Sequence, residues 1–243
     1  MDRLHKIINN NNDGEIRKFP QYMIELFPKY IIKAYIRRNP HNYYEIGFIY
    51  EYYYKNYEKM IQYYNKSDNP QGLVKMAHHY YRTKNYELMH KYYNMVIGLG
   101  NSNAMFELGR YYERMNDYEL MHKYYKMAIE LGNTDAMFWL GDYYNRNNNY
   151  ELTYKYLNMA VELCNSNAMI WFGTYYRYNI KKNELMHKYY NMAIKLGDIN
   201  AMYELGRYYQ YCEKNYELMY KYYMMAIKLN NTSWYIITYY KNY

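Results

Sequence analysis

Proline occurs 4 times and glycine 11 times in 243 residues, which is little turn material for a protein built of many short strands. Cysteine occurs twice, at Cys164 and Cys212, in no CxxC or CxxH spacing. That argues against a disulfide framework and against a structural zinc site. No stretch offers about 18 uninterrupted apolar residues, as a membrane-spanning helix needs. The opening MDRLHKIINNNNDGE also lacks the apolar centre of a secretory signal. The expectation is a soluble, intracellular protein of the cytoplasm with no membrane insertion.

What the chain has in excess is large packing material, with 44 tyrosines and 19 methionines. It is also basic, with 31 Lys and Arg against 23 Asp and Glu and a formal charge of +8. Such a surplus leaves an acidic peptide, an RNA or an anionic surface open as partners. Most of these charges fall in mixed-sign helical patterns, the mark of an ordinary solvated surface.

Self-similarity dominates the sequence. An Ala-Met pair recurs at Ala104, Ala136, Ala168 and Ala201, with spacings of 32, 32 and 33 residues. The text around the first reads NAMFELGRYYERMNDYELMHKYYKMAIELGN, and the next three units repeat its pattern. A weaker copy starts near Gly72 and a degenerate one near Glu45. The resulting partition is a partly helical N-terminal segment over 1–41, a degenerate first repeat over 42–71, and a helical array over 72–232. The array divides into 72–102, 103–134, 135–166, 167–199 and 200–232. A C-terminal capping helix is expected over 233–243, covering the last apolar face of the stack.

Each unit reads as two helices. Ala104, Leu108, Tyr111 and Tyr112 follow i, i+4, i+7 and i+8 and share one face. The second helix carries two apolar stripes, Tyr118, Met121, Tyr125 and Ala128, then Leu120, Tyr124, Met127 and Leu131. Its polar stripe is Glu119, His122, Lys123, Lys126 and Glu130. A helix with two apolar sides needs neighbours on both, which a stack of hairpins supplies and a lone hairpin does not. Asn103, Asp135, Asn167 and Asn200 are the expected N-caps of the first helices. Gly100, Gly132 and Gly197 mark the ends of second helices, where a left-handed residue is needed. Glu87 and Lys91, Glu119 and Lys123, Glu151 and Lys155, Glu184 and Lys188, and Glu217 and Lys221 stand at the favourable i, i+4 spacing in five consecutive units.

In order and spacing, Ala104, Leu108, Gly109, Tyr112, Asp117, Tyr118, Tyr125 and Ala128 resemble the tetratricopeptide signature. The junction MAIELGNTDA is closer to that of the Sel1-like repeats, although the Gly-x-Gly between the Sel1-like helices is replaced by a short Asn-rich turn. The resemblance covers about residues 72–232 and implies an all-α fold, an α-solenoid of antiparallel helix pairs of about 32 residues stacked into a right-handed superhelix. An array with this Tyr, Asn and Lys bias is similar to repeat proteins of giant DNA viruses, which would place it in the host cytoplasm.

No catalytic constellation emerges, so the expectation is a protein that is not an enzyme, with no cofactor, no metal and no small-molecule substrate. His90, His122 and His187 share one repeat position and fall on the polar stripe. His78 and His79 are adjacent, without the i, i+4 spacing of a helical metal site. Gly109, Gly141, Gly173 and Gly206 read as points of close approach between helices. The doublets Tyr111–Tyr112, Tyr143–Tyr144, Tyr175–Tyr176 and Tyr208–Tyr209 read as core.

By the geometry of the resembled families, the inner surface is carried by the first helices. It presents Phe106, Arg110 and Arg114, then Phe138, Asp142 and Arg146, then Arg177, and finally Tyr203 and Arg207. Aromatic and Arg residues are the types that carry interface energy. The resemblance implies a scaffold that binds a protein or peptide partner, an acidic one given these arginines. The alternatives are an RNA-binding array that uses basic and aromatic faces, and self-assembly.

Overall fold

Asparagine and aspartate write the starts of the helices. Asn56, Asn85, Asp117, Asn149 and Asn215 each precede a second helix and accept a hydrogen bond from the backbone amide three residues on, at 3.0–3.2 Å. Each bond satisfies an orphan donor of the first turn. First helices use the same device, but two residues earlier than the sequence suggests. Asn101, Asn133, Asn165 and Asp198 accept from the amides of Ala104, Ala136, Ala168 and Ala201 at 2.8–3.2 Å. The displacement has a physical reason. Gly132 is left-handed (φ 76°) and hands Asn133 an extended backbone (φ −71°, ψ 107°), as an N-cap requires, so Asp135 is already inside the helix.

The structure, a computed structural model, describes residues 28–229. Among these it holds thirteen α-helices and no strand. They are α1 (Lys29–Arg38), α2 (Tyr43–Tyr52), α3 (Tyr57–Asn65), α4 (Pro70–Arg82), α5 (Tyr86–Ile97), α6 (Ser102–Arg114), α7 (Tyr118–Glu130), α8 (Thr134–Arg146), α9 (Tyr150–Glu162), α10 (Ser166–Tyr175), α11 (Asn183–Lys195), α12 (Ile199–Tyr208) and α13 (Tyr216–Leu229). From α2 onward they alternate as first and second helices of successive pairs. The capping helix expected over 233–243 lies outside the described residues, as do residues 1–27. The chain divides into two compact units, one up to Ala104 and one from Met105.

In the first unit, Tyr64 on α3 is fully buried, with the backbones of Gly47 and Gly72 against its ring. Its hydroxyl donates to Glu51 at 2.9 Å, giving that buried carboxylate a partner. Burial raises the Tyr64 phenol above its ordinary pKa, so it stays a donor. Helix α1 is held to this unit by the Tyr35 hydroxyl, which donates to Glu45, and by the buried side chain of Ile32.

In the second unit α7, α9 and α11 each pack on their own first helix and on the next pair. Met186, Tyr190 and Ala193 of α11 share one cluster with Met169 of α10 and with Ala201 and Leu205 of α12. Turns between the helices of a pair place Asn116, Asn148, Lys181 and Lys214 in the left-handed region (φ 53–58°). Where the Tyr doublet and the second helix are one residue further apart, the extra residue is absorbed as a π-helical turn, at Tyr176–Ile180 and Tyr209–Glu213. At the ends of second helices Gly132 and Gly197 have φ of 76° and 80°, and Cys164 takes the same place at 62°.

The tyrosines build a repeated aromatic layer. Tyr112 stacks on Tyr124, Tyr144 on Tyr156, Tyr176 on Tyr189 and Tyr209 on Tyr222, with centroids 5.5–5.7 Å apart. Lys123, Lys155, Lys188 and Lys221 lie 5.5–5.7 Å from the centre of the second-helix ring of these stacks. The i, i+4 Glu–Lys pairs expected from the spacing do not close. Each lysine instead covers the ring beside it with its stem and ammonium, a cation–π arrangement.

Candidate partner-binding face

The side chains singled out on the first helices of the second unit come together in two charge clusters. In the first, Arg146 donates from Nη2 to Glu113 at 2.5 Å and from Nε to Asp142 at 3.0 Å, while Arg110 Nε stands 3.9 Å from the same Glu113. The hydrogen bond to Glu113 is the largest influence holding the Arg146 guanidinium above its ordinary pKa. The Arg110 guanidinium lies 3.6 Å from the ring centre of Trp139, on the next pair, and 6.0 Å from Phe106. Phe106 stacks on Tyr125 at 6.0 Å, and Phe138 meets Trp139 edge to face at 5.8 Å. Arg114 is exposed at the end of α6. Two cations and two anions make this cluster neutral.

The second cluster is built on Glu204. Arg177 reaches it from the preceding pair at 3.2 Å, and Arg207 reaches its other oxygen from one turn along α12 at 3.1 Å. The two arginines differ in burial. The side chain of Arg177 is 7% exposed and that of Arg207 44%. Arg177 also packs its guanidinium 4.8 Å from the ring centre of Tyr178 and 5.6 Å from that of Tyr208. Two guanidiniums on one carboxylate leave this cluster one positive charge in excess. Tyr203 stands exposed on the same helix, 5.3 Å from Tyr223.

The geometry thus adds Glu204 and Trp139 to the residues read from the sequence. Spacing offered a signal for the first, because ELGR puts Glu204 three residues before Arg207. Trp139 carries none, since it meets Arg110 only across the junction of two pairs.

The histidines are not on the polar surface. The His122 ring is wedged against Tyr143 (5.1 Å, 88°) and Tyr144 (5.5 Å), and His187 against Tyr208 (5.3 Å, 88°) and Tyr209 (5.7 Å). Both therefore sit half-buried at junctions between pairs, and Nδ1 of His122 is buried without a hydrogen-bond partner. Burial lowers the pKa of both. The sequence reading fails here because the polar stripe of one helix is covered by the doublet of the next. Among the described residues no group of three or more His, Cys, Asp and Glu side chains is placed to hold a metal ion, and no helix is long and apolar enough to cross a membrane.

No protein-family model matches the sequence, and no curated protein does. Solved structures do. A Sel1 repeat protein of Oxalobacter formigenes matches with a TM-score of 0.59 at 19% identity, over 82% of this chain and 93% of the other. A protective antigen of uropathogenic Escherichia coli displaying an SLR fold matches with a TM-score of 0.55 at 16% identity, over 82% of this chain. The present chain spans 48% of that antigen's length. The APC/C hetero-tetramer Cut9-Hcn1 matches with a TM-score of 0.52 at 16% identity, over 91% of this chain and 45% of the other. The chain therefore has the helical-repeat solenoid fold of Sel1-repeat and tetratricopeptide-like proteins.

Proposed function

We propose that this chain is a non-enzymatic interaction scaffold that holds an acidic, extended segment of a partner protein on the first-helix face of its second unit. The observation that carries this reading is the unequal pair of arginines on Glu204. Arg177 is fixed by burial and needs the carboxylate, whereas Arg207 is half in solvent and the cluster keeps one charge unbalanced. A partner carboxylate reaching Arg207 completes the balance, and Arg can grip it bidentately. The neighbouring Tyr203 offers an aromatic surface, the kind of anchor that carries interface energy. The Arg110, Arg146, Glu113 and Asp142 cluster is already neutral, so it contributes shape, with Phe106, Trp139 and Phe138, more than charge.

The test is anisotropy titration of acidic peptides against the wild type, Arg207→Ala and Arg146→Ala. Arg207→Ala should weaken binding by about tenfold, the loss of one charge-assisted contact. Arg146→Ala, whose charge is spent on Glu113 and Asp142, should change affinity by less than about threefold. Equal affinities of the wild type and Arg207→Ala would overturn the assignment of the site.

A further inference from the structure

Helix α1 carries a cationic stripe that the fold does not use. Lys29, Lys33 and Arg37 stand at i, i+4 and i+8, within about 80° of one another around the axis, because each residue turns an α-helix by about 100°. All three are exposed, and Tyr30 is 64% exposed beside them. The opposite side of the helix is already occupied, since Ile32 is buried and the Tyr35 hydroxyl is bonded to Glu45.

Outside α1 the arginines and several lysines have partners, whereas exposed lysines such as Lys66, Lys84 and Lys195 stand singly, so α1 is set apart by the alignment of its cations along one face. Arg82, Arg110, Arg146, Arg177 and Arg207 each meet a carboxylate, and Lys123, Lys155, Lys188 and Lys221 lie over tyrosine rings. Among the described residues, Lys29, Lys33, Arg37 and Arg38 meet neither. The helix contains no acidic residue in its first turn, and Lys29 stands there, at the positive end of the helix dipole, where a cation is disfavoured. Lys29 with Lys33, and Lys33 with Arg37, are like-charge pairs at i, i+4, which also weaken a helix. Arg37 and Arg38 suit the C-terminal end of the dipole, but helix stability gives no reason for Lys29 and Lys33.

We propose that this stripe docks the phosphate backbone of a single-stranded nucleic acid, with Tyr30 as a stacking platform for a base. A line of cations one helical turn apart, about 6 Å, beside an exposed aromatic ring is the pairing by which single strands are held without base readout. A bilayer surface fits less well, because the apolar side that would enter it is packed on the fold. An acidic peptide would find a single exposed aromatic ring, Tyr30, beside the cations of α1. The proposal is independent of the peptide site on the second unit and stands or falls without it.

The experiment uses the full chain and two fluorescent probes, an oligouridylate and an oligothymidylate, titrated by anisotropy across salt. The wild type should bind both, with a log–log salt slope of about −2, as three phosphate contacts on a single strand give. Lys29→Gln/Lys33→Gln/Arg37→Gln should weaken binding at least about tenfold and flatten the slope. Lys123→Gln/Lys155→Gln/Lys188→Gln removes the same charge from second helices and should stay within about threefold of the wild type, as should Lys29→Arg/Lys33→Arg. Circular dichroism should show the same helix content in all variants, because every substituted side chain is at the surface. Equal losses in the two Gln variants, absence of binding by the wild type at low salt, or equal affinity for polyglutamate or phosphatidylserine vesicles would each overturn the proposal.

Discussion

A Cβ placed on Gly109 would lie 2.4 Å from Cδ1 of Tyr125, so the first helix of that pair rests its bare backbone on the ring of the second. The ring has no room to swing away. It is fully buried, and its hydroxyl donates to Glu113 at 2.7 Å. The same approach recurs at Gly173 on Tyr190, Gly206 on Tyr223 and Gly141 on Leu157. Gly109→Ala should therefore destabilise by about 1–3 kcal/mol through overpacking, even though alanine is the better helix former by up to about 1 kcal/mol. Urea denaturation measures this directly. An Ala variant at least as stable as the wild type would show that Tyr125 yields without loss.

Acid should loosen the junctions between pairs. His122 sits against Tyr143 and Tyr144 with Lys126 nearby on its own helix, and both burial and that lysine lower its pKa from the ordinary 6.5. A group whose folded pKa is lowered in this way and is neutral when packed contributes stability that is full above about 6.5 and is lost as pH falls through the folded value. His187 follows the same direction, but Glu213 opposes the shift. The dependence of stability on pH between about 7.5 and 5 should therefore flatten more in His122→Phe than in His187→Phe. Thermal melts across that range decide it, and an undiminished pH dependence in the double variant would remove both histidines as its source.

Two positions break the pattern that the other repeats keep, and each should be improvable. Cys164 holds a left-handed backbone (φ 62°) where Gly132 and Gly197 stand in neighbouring repeats. Cys164→Gly should stabilise by about 1 kcal/mol by relieving the clash of a Cβ in that region. Lys182 stands at the N-cap of α11 and makes no side-chain capping bond, unlike Asp117, Asn149 and Asn215 in the same unit. Lys182→Asp should add about 0.5–1 kcal/mol by closing that bond and by placing an anion at the positive end of the helix. Denaturant midpoints would show whether either gain is absent.

The sequence carried the architecture because periodicity reports which side of a helix is buried. The helix pairs, the close-approach glycines and the left-handed Gly100, Gly132 and Gly197 all follow from local spacing. Contacts that depend on the next repeat did not follow. His122 looks solvent-facing within its own helix and is covered by a doublet some twenty residues on, and Arg110 finds Trp139 in the same way. The N-caps moved by two residues because a left-handed residue, Gly at three junctions and Cys164 at the fourth, resets the backbone of the residue that follows it, an effect that residue preference alone does not encode.

Breaking the Arg177–Glu204 pair should cost far more than losing Arg207 from the same carboxylate. Arg177 is 7% exposed, and its Nε already lacks a hydrogen-bond partner, so Glu204→Gln leaves a guanidinium in a poorly solvated place with its counter-charge gone. Removing one partner of such a pair costs about 3 kcal/mol, toward the lower end of the range for buried pairs because Glu204 itself is partly exposed. Arg207→Ala, at a side chain nearly half in solvent, should cost less than about 1 kcal/mol. Salt separates the two effects, since the Arg207 contribution should shrink at high ionic strength while the Glu204→Gln loss persists. In an Arg177→Met background, Glu204→Gln should become nearly neutral, because the charge that needed it is absent and an apolar side chain fills the same space. A double-mutant cycle by urea denaturation at low and high salt reads all four states. If Glu204→Gln costs no more than Arg207→Ala, or if its cost survives Arg177→Met unchanged, Arg177 is not held by this carboxylate, and the unequal pair that marks Arg207 as the available arm loses its basis.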